Sequence, residues 1–346
     1  MKNITIITPD DWHLHLRDTP FLEAVVGDTA KQFARAIIMP NLKPPVRTCE
    51  DALAYRARIL AALPPDSQFE PLMTLYLTDN TRIEDIEAAS HSEFIFGAKL
   101  YPAGATTNSD DGVTDLRKLD PVFAAMQEHG LVLQVHGEAT DDDIDVFDRE
   151  KVFIEQSLTR IRRDFPGLRI VLEHITTRDA VDYVIAAEEN LAATITAHHL
   201  LINRNAMFRG GIRPHHYCLP VAKRELHRQA LVAAATGGDS RFFAGTDSAP
   251  HARDTKESDC GCAGIYSAHS AIELYTEAFD RVGDFANFEN FMSCNGANFY
   301  RLPINQNQIT LNRESWTLPD SLPYPDSELV PFFAGDTLNW KLIAND

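Results

Sequence analysis

Cysteine is scarce in this chain: Cys49, Cys218, Cys260, Cys262 and Cys294 are the five in 346 residues, an odd number and widely spaced. With 44% of residues apolar, a large core is available and no disulfide framework is needed, so they read as reduced thiols, structural or near a loop. Cys260-Gly261-Cys262 resembles half a thiolate zinc site, but no second pair lies nearby to complete it. No apolar run approaches the roughly 20 residues that span a bilayer. The N-terminus has no basic segment followed by a long apolar stretch and a small-residue cleavage site, so the expected location is the cytoplasm, without a membrane partner. Basic residues are outnumbered, 32 against 50 acidic, for a net charge of −18. No Lys/Arg stripe interleaves with aromatics, and nucleic acid is not expected as a partner. A Gly-x-Gly-x-x-Gly turn after the first apolar segment is also missing, which disfavours a doubly wound dinucleotide-binding sheet. Asp141-Asp142-Asp143, with Asp145 and Asp148, lacks the glycine and terminal glutamate of a calcium loop and reads as a solvated loop leading into a helix.

What is present is an alternation. Short apolar segments at 4–8, 36–39, 72–77, 95–100, 131–136, 169–174, 193–198 and 241–246 predict strands. Between them, amphipathic stretches at 21–33, 49–63, 82–89, 119–129, 151–165, 178–188, 222–235 and 267–282 predict helices. Thr48 and Thr177 stand where N-caps belong, and Pro64, Gly130 and Pro166 mark helix exits. The strand segments read as nearly continuous apolar runs, as in a parallel sheet buried on both faces. Eight strand-then-helix units predict a (β/α)8 barrel, taken as a single domain over 1–346. Residues 300–346, punctuated by five prolines, predict a C-terminal extension, packed on the barrel through Trp316, Phe332, Phe333 and Trp340.

Chemistry in such a barrel gathers at the C-terminal ends of the strands. His13-Leu14-His15-Leu16-Arg17 follows the first apolar run. On an extended segment His13 and His15 share one face, with Trp12 and Leu14 on the other. Taken alone, the triplet fits a pair of structural histidines as well as a metal site. Asn41 then follows the second strand, Lys99 lies on the fourth, His136 and His174 end the fifth and sixth, and Asp247 follows the eighth. Four histidines, a lysine and an aspartate converging on one mouth predict a metal centre. Ammonium cannot ligate a metal, but Lys99 sits among apolar residues, where burial favours the neutral amine. A neutral amine can take up carbon dioxide to give a carbamate able to bridge two cations; a snorkelling or phosphate-binding lysine is the alternative.

The ordered set His-x-His, Lys, His, His, Asp on eight βα units resembles the amidohydrolase superfamily. Five motifs are similar to the dihydroorotase family in its single-function bacterial form: His13-x-His15-x-Arg17, Met39-Pro40-Asn41, Gly97-Ala98-Lys99-Leu100-Tyr101-Pro102, Glu173-His174-Ile175-Thr176 and Gly245-Thr246-Asp247-Ser248-Ala249-Pro250-His251. They run over essentially the whole chain. The resemblance implies two zinc ions, His13 and His15 on one and His136 and His174 on the other. Lys99, as N6-carboxylysine, and a hydroxide bridge them, with Asp247 on the first. It implies reversible cyclisation of N-carbamoyl-L-aspartate to L-dihydroorotate in pyrimidine (UMP) biosynthesis, the bridging hydroxide attacking in the hydrolytic direction and Asp247 serving as general acid and base.

An anionic substrate needs a cationic grip, and Arg17 can hold a carboxylate with two parallel bonds, unless it serves as a cap or in a salt bridge. By resemblance Asn41 and His251 complete that grip. The segment 104–109 resembles the family's mobile loop, with Thr106 and Thr107 donating to substrate. Leu219 and Ala263 lie in what look like ring-contacting segments. A homodimer is a family-based expectation. A hydantoinase or dihydropyrimidinase would share the metal set, and a non-catalytic barrel paralogue is the other alternative. His198, His199, His215 and His216 are doubled histidines without an assigned role.

Overall fold

In the computed structural model, β1 (Asn3–Ile7) is succeeded at once by β2 (Asp10–Leu14), then by β3 (Arg35–Ile38), β4 (Glu70–Tyr76), β5 (Ile95–Leu100), β6 (Val132–Val135), β7 (Ile170–Leu172), β8 (Leu191–Ile195) and β9 (Phe242–Ala244). The structure describes residues 2–259 and 261–343; Cys260, and so the Cys260-Gly261-Cys262 arrangement, lies outside the described residues. Strands β2 to β9 form one parallel sheet in chain order. Its ends meet: Asp247 N donates to His13 O at 2.8 Å, His15 N donates to Ser248 O at 3.1 Å, and Leu14 bridges Ser248 in parallel. The sheet is thus a barrel, and helices such as Phe21–Ala30, Cys49–Ala62, Asp120–His129, Arg178–Ala186 and Ala271–Val282 return the chain between strands. Thr48 and Asp51 make a reciprocal capping box, Thr177 accepts from Ala180 N, and Gly130 ends its helix at φ 69°.

The barrel does not begin where the sequence predicts. The run at 4–8 is a strand, but β1 pairs antiparallel with β10 (Gln308–Thr317), Ile6 facing Ile309. Its alternating burial suits a sheet with one wet face, whereas all five residues of β2 are buried. After β10 come the hairpin β11 (Leu322–Tyr324) and β12 (Ser327–Leu329), then β13 (Thr337–Leu342), which pairs with β10. Trp340 is fully buried against Phe285, Trp316 Nε1 donates to Trp340 O, and Phe332 stacks on Phe333 beside His216. The four aromatic residues expected to anchor the tail therefore do so.

A second correction concerns β2. The register with β3 shifts between Asp11 and Leu14, so Trp12 and Leu14 do not share a face. Trp12 joins the barrel interior with Ile37, Met39, Leu72, Val132, Val171, Ala192 and Phe243, while Leu14 packs in the larger outer cluster. The helix Asn295–Tyr300 closes this floor, Tyr300 stacking on Trp12 with ring centroids 4.7 Å apart. Only glycine fits at 296, because a Cβ there would lie 2.1 Å from Trp12 Nε1. With the floor filled, the opposite mouth is what remains for a ligand. Cys49, Cys218, Cys262 and Cys294 are free thiols. Among the described residues no helix is long and apolar enough to cross a membrane.

Candidate active site

The six expected ligands reach the open mouth from five places in the barrel. His13 sits in the irregular part of β2 and His15 just beyond it; Lys99 is on β5, His136 follows β6, and His174 and Asp247 follow β7 and β9. Ring centroids are 5.3 Å apart for His13 and His15, 4.9 Å for His13 and His174, and 4.9 Å for His136 and His174. Asp247 Oδ1 lies 3.1 Å from His15 Nε2 and 3.4 Å from His13 Nε2. Arg17, His174 and Asp247 hold φ values of 63°, 40° and 46°. Each such non-glycine residue costs on the order of 1–3 kcal/mol, tolerated where neighbours over-determine the backbone. At His174 the amide donates to Thr194 Oγ1 at 2.6 Å, and at Asp247 to His13 O, which supplies that constraint.

Three buried nitrogens here, His13 Nε2, His174 Nδ1 and Lys99 Nζ, have no hydrogen-bond partner. Buried polar atoms are rarely left so, and this donor set fits a cation. Burial pushes the His13 and His174 imidazoles well below their usual pKa, and His15 is lowered too, against the pull of Asp247. Neutral imidazole is the ligating form. Burial brings Lys99 down to about 8, although Glu173 and Asp247 oppose the shift. At that value about a tenth of the side chain is free amine at pH 7.

The outer nitrogens are tied back. His13 Nδ1 lies 2.9 Å from Glu173 Oε2, which also accepts from Thr194 Oγ1 at 2.6 Å. His136 Nε2 meets Glu138 Oε2 at 2.8 Å, and His15 Nδ1 meets Asn41 Oδ1 at 2.9 Å. In each case the N–H donated outward leaves the other ring nitrogen with a lone pair that could meet a cation. Asp11, pushed up to about 7 by burial, accepts from Thr246 N and Oγ1 and from His13 N, tying β2 to the segment after β9. Sequence reasoning missed Glu173, Glu138 and Asp11 as partners. The available signal was adjacency, since Glu173 precedes His174 and Glu138 stands two residues after His136.

Beside the histidines lies a small cavity, lined by His15 and Asp247 together with the expected Arg17, Asn41, Thr106, Thr107, Leu219 and Ala263. Expected His251 stands behind Arg17, its Nε2 accepting from Arg17 Nη2 at 2.8 Å; Arg17 Nε donates to Pro250 O. Among the described residues Arg17 forms no ion pair, which removes the salt-bridge alternative. Burial depresses its pKa, as expected for a cation without an acidic partner. Ala249 and Gly264, which the sequence reading did not single out, complete the wall. At Gly264 (φ 150°) a Cβ would fall 2.7 Å from the His251 ring, so the close approach requires glycine.

The loop at 104–109 lies across this cavity. Thr107 Oγ1 donates to Ala263 O at 3.1 Å, Asn41 Nδ2 donates to Thr107 O at 3.0 Å, and Asn108 Nδ2 donates to Asn41 O at 3.0 Å. Both ends of the Asn41 amide are therefore engaged, by His15 and by the loop. Thr106 lines the cavity while its N–H closes a turn on Ser109 Oγ.

His198, His199 and Cys218 form a second buried group with metal-ligand spacing. His198 Nδ1 is buried without a hydrogen-bond partner, but both ring nitrogens of His199 are committed. Pro220 O can only accept, so neutral His199 carries its proton on Nε2, 3.1 Å away, and its Nδ1 takes the Thr196 hydroxyl at 2.9 Å, while Thr196 Oγ1 accepts from His199 N. Burial raises the Cys218 thiol far from ionisation. This is a hydrogen-bonded support beneath Leu219. His215 pairs with Glu257, and His216 Nδ1 donates to Ala206 O.

The amidohydrolase family model matches residues 5–315. A dihydroorotase of Cupriavidus pinatubonensis is 65% identical over 340 residues, 98% of this chain and 99% of that protein. Among solved structures, dihydroorotase from Saccharomyces cerevisiae in complex with 5-fluoroorotic acid superposes with a TM-score of 0.91 at 32% identity, over 99% of both chains. L-Hydantoinase (dihydropyrimidinase) from Arthrobacter aurescens gives a TM-score of 0.79 at 14% identity, over 98% of this chain and 83% of that one, a likeness of fold alone.

Proposed function

The chain belongs to the amidohydrolase family and, within it, to the dihydroorotases, and from that premise we propose that it interconverts N-carbamoyl-L-aspartate and L-dihydroorotate in pyrimidine biosynthesis with two zinc ions. His13, His15 and Asp247 would hold one ion and His136 and His174 the other, Lys99 bridging them as a carbamate. The unpartnered buried nitrogens and the neutral imidazoles support this set. When bound, the ions would acidify water and polarise the amide carbonyl, lending the hydrolysis both its nucleophile and its electrophile.

The chain's own groups do the rest. In hydrolysis the Asp247 carboxylate accepts the proton of the attacking water and returns it to the ring nitrogen as the amide C–N bond breaks; ring closure reverses both transfers. Arg17 grips the substrate carboxylate with His251 behind it, and Asn41 joins by exchanging the Thr107 carbonyl for that carboxylate. Thr106 and Thr107 close over the ring, while Leu219 and Ala263 meet its edge through the backbone. Glu173 and Glu138 hold His13 and His136 in one tautomer and orientation.

The observation that carries the substrate choice is Arg17, a half-buried guanidinium at the cavity that forms no ion pair among the described residues. A hydantoin or dihydropyrimidine ring would give it nothing to hold. The yeast relative's bound 5-fluoroorotic acid, a pyrimidine carboxylate, points the same way. A non-catalytic paralogue is disfavoured because every expected ligand is present. Zinc analysis with a dihydroorotate hydrolysis assay tests the reading; turnover of dihydrouracil or hydantoin but not of dihydroorotate would overturn it.

Arg17→Ala should raise KM for dihydroorotate roughly 10²-fold or more, since each charge-assisted bond is worth about 1.5–3 kcal/mol. Steady-state kinetics with KM near the wild-type value would remove the assigned grip. Glu173→Gln should weaken zinc binding by about 10–100-fold, the usual cost of losing an outer partner of a ligating histidine. Chelator competition measures it, and unchanged affinity would mean that Glu173 does not orient His13. On family grounds we also infer a cytoplasmic homodimer, which sedimentation equilibrium tests for its oligomeric state.

A further inference from the structure

Lys256 is a buried cation that the mechanism above leaves without a task. It ends the short helix Arg253–Lys256 and is 4% exposed. Its Nζ donates to three backbone carbonyls, Tyr217 O at 2.9 Å, Cys262 O at 2.8 Å and Gly264 O at 2.5 Å. Three bonds exhaust an ammonium. Among the described residues no carboxylate pairs with it, and burial holds its pKa down at about 8, where an acidic partner would have raised it.

The three carbonyls belong to two segments that also meet through Gly264 N and Tyr217 O, 3.1 Å apart. Cys262 and Gly264 flank Ala263, and Tyr217 stands two residues before Leu219; Ala263 and Leu219 both line the cavity. Ala263 O is also where Thr107 of the overlying loop lands. Burying an ammonium is unfavourable unless its bonds and field are used, and an apolar side chain would fill the space without that penalty. The bonds are used to join the two segments. The field is not cancelled locally, and Arg17 and His251, the groups facing the substrate carboxylate, both feel it.

We propose that Lys256 is a positioning residue for substrate: its ammonium clamps the Leu219 and Ala263 backbone against the ring and adds to Arg17 the positive potential that favours a carboxylate-bearing ligand. The proposal rests on the dihydroorotase reading, and its test separates the two. The zinc-loaded Lys256→Met enzyme is assayed on L-dihydroorotate and titrated with orotate as competitor. Removing a charge and three bonds should raise KM and the orotate Ki about tenfold or more, with kcat within about threefold and zinc content unchanged. Lys256→Gln, which keeps two N–H donors but no charge, carries the same comparison if the methionine variant fails to fold, and should also raise both constants. Wild-type values of KM and Ki in a folded variant would overturn the clamp, as would parallel loss of kcat and zinc, the mark of a merely structural lysine. A wild-type enzyme without dihydroorotate turnover would overturn the parent reading, and the clamp with it.

Discussion

Asp247→Asn should lower kcat for dihydroorotate hydrolysis by about 10²–10⁴-fold, the span contributed by one positioned general acid–base group. The substitution is unusually clean. Asparagine keeps the volume and one oxygen toward His13 and His15, where Asp247 Oδ1 now lies 3.4 Å and 3.1 Å from their Nε2 atoms. It also tolerates the left-handed backbone at φ 46° better than most residues. What it loses is the capacity to take up and release a proton. Zinc analysis beside the kinetics separates the two roles of Asp247. If the aspartate were a ligand only, lost activity would follow lost metal and return with excess zinc. A low kcat at full occupancy identifies proton transfer; a kcat within tenfold of wild type at full occupancy would refute it.

The second large effect is expected at Lys99. Its Nζ is fully buried, lacks a hydrogen-bond partner and lies 5.0 Å from the centroid of the Tyr101 ring. A buried ammonium with no acceptor is unstable, and its lowered pKa, about 8, is the response. Conversion to a carbamate turns the orphaned nitrogen into part of an anionic ligand. Lys99→Ala should therefore drop zinc from two per chain toward one and reduce activity by about 10²-fold or more, at or beyond the cost of losing an outer ligand partner. The truncation also opens space at the centre of the site, so acetate or propionate should restore part of both losses. Two tightly bound ions and full activity in the alanine variant would sink the bridge.

Barrel architecture was legible because strands buried on both faces write continuous apolar runs, and because Thr48, Thr177 and Gly130 punctuate the helices with local chemistry that needs no partner. The first strand escaped for the opposite reason. Asp10-Asp11-Trp12-His13-Leu14 carries three ionisable side chains, and only the folded chain shows each one answered: Asp10 by Arg35, Asp11 by Thr246, His13 by Glu173. Residues 4–8 have the signature of a strand, but nothing local reveals that the partner is β10, about 300 residues away. The ligand set was readable as a pattern at strand ends. Its support was not, since Glu138, Glu173, Thr194 and Lys256 are ordinary polar residues until three-dimensional proximity gives them a role. The register shift in β2 belongs with these, because alternation alone has no means of marking where an extra residue is inserted.

The seam where β2 meets the chain after β9 has a consequence for biogenesis. His13 O and Asp247 N, joined there, are 234 residues apart, and three of the expected ligands, His13, His15 and Asp247, sit on its two sides. A nascent polypeptide that stops short of Asp247 holds two of those three donors, His13 and His15, and no closed cylinder. A metal held by all three would therefore be captured only after the segment bearing Asp247 has left the ribosome. Once made, the same bonds act as a clasp between distant parts of the chain, so that a cation bridging its two sides would bind the closed barrel and favour it.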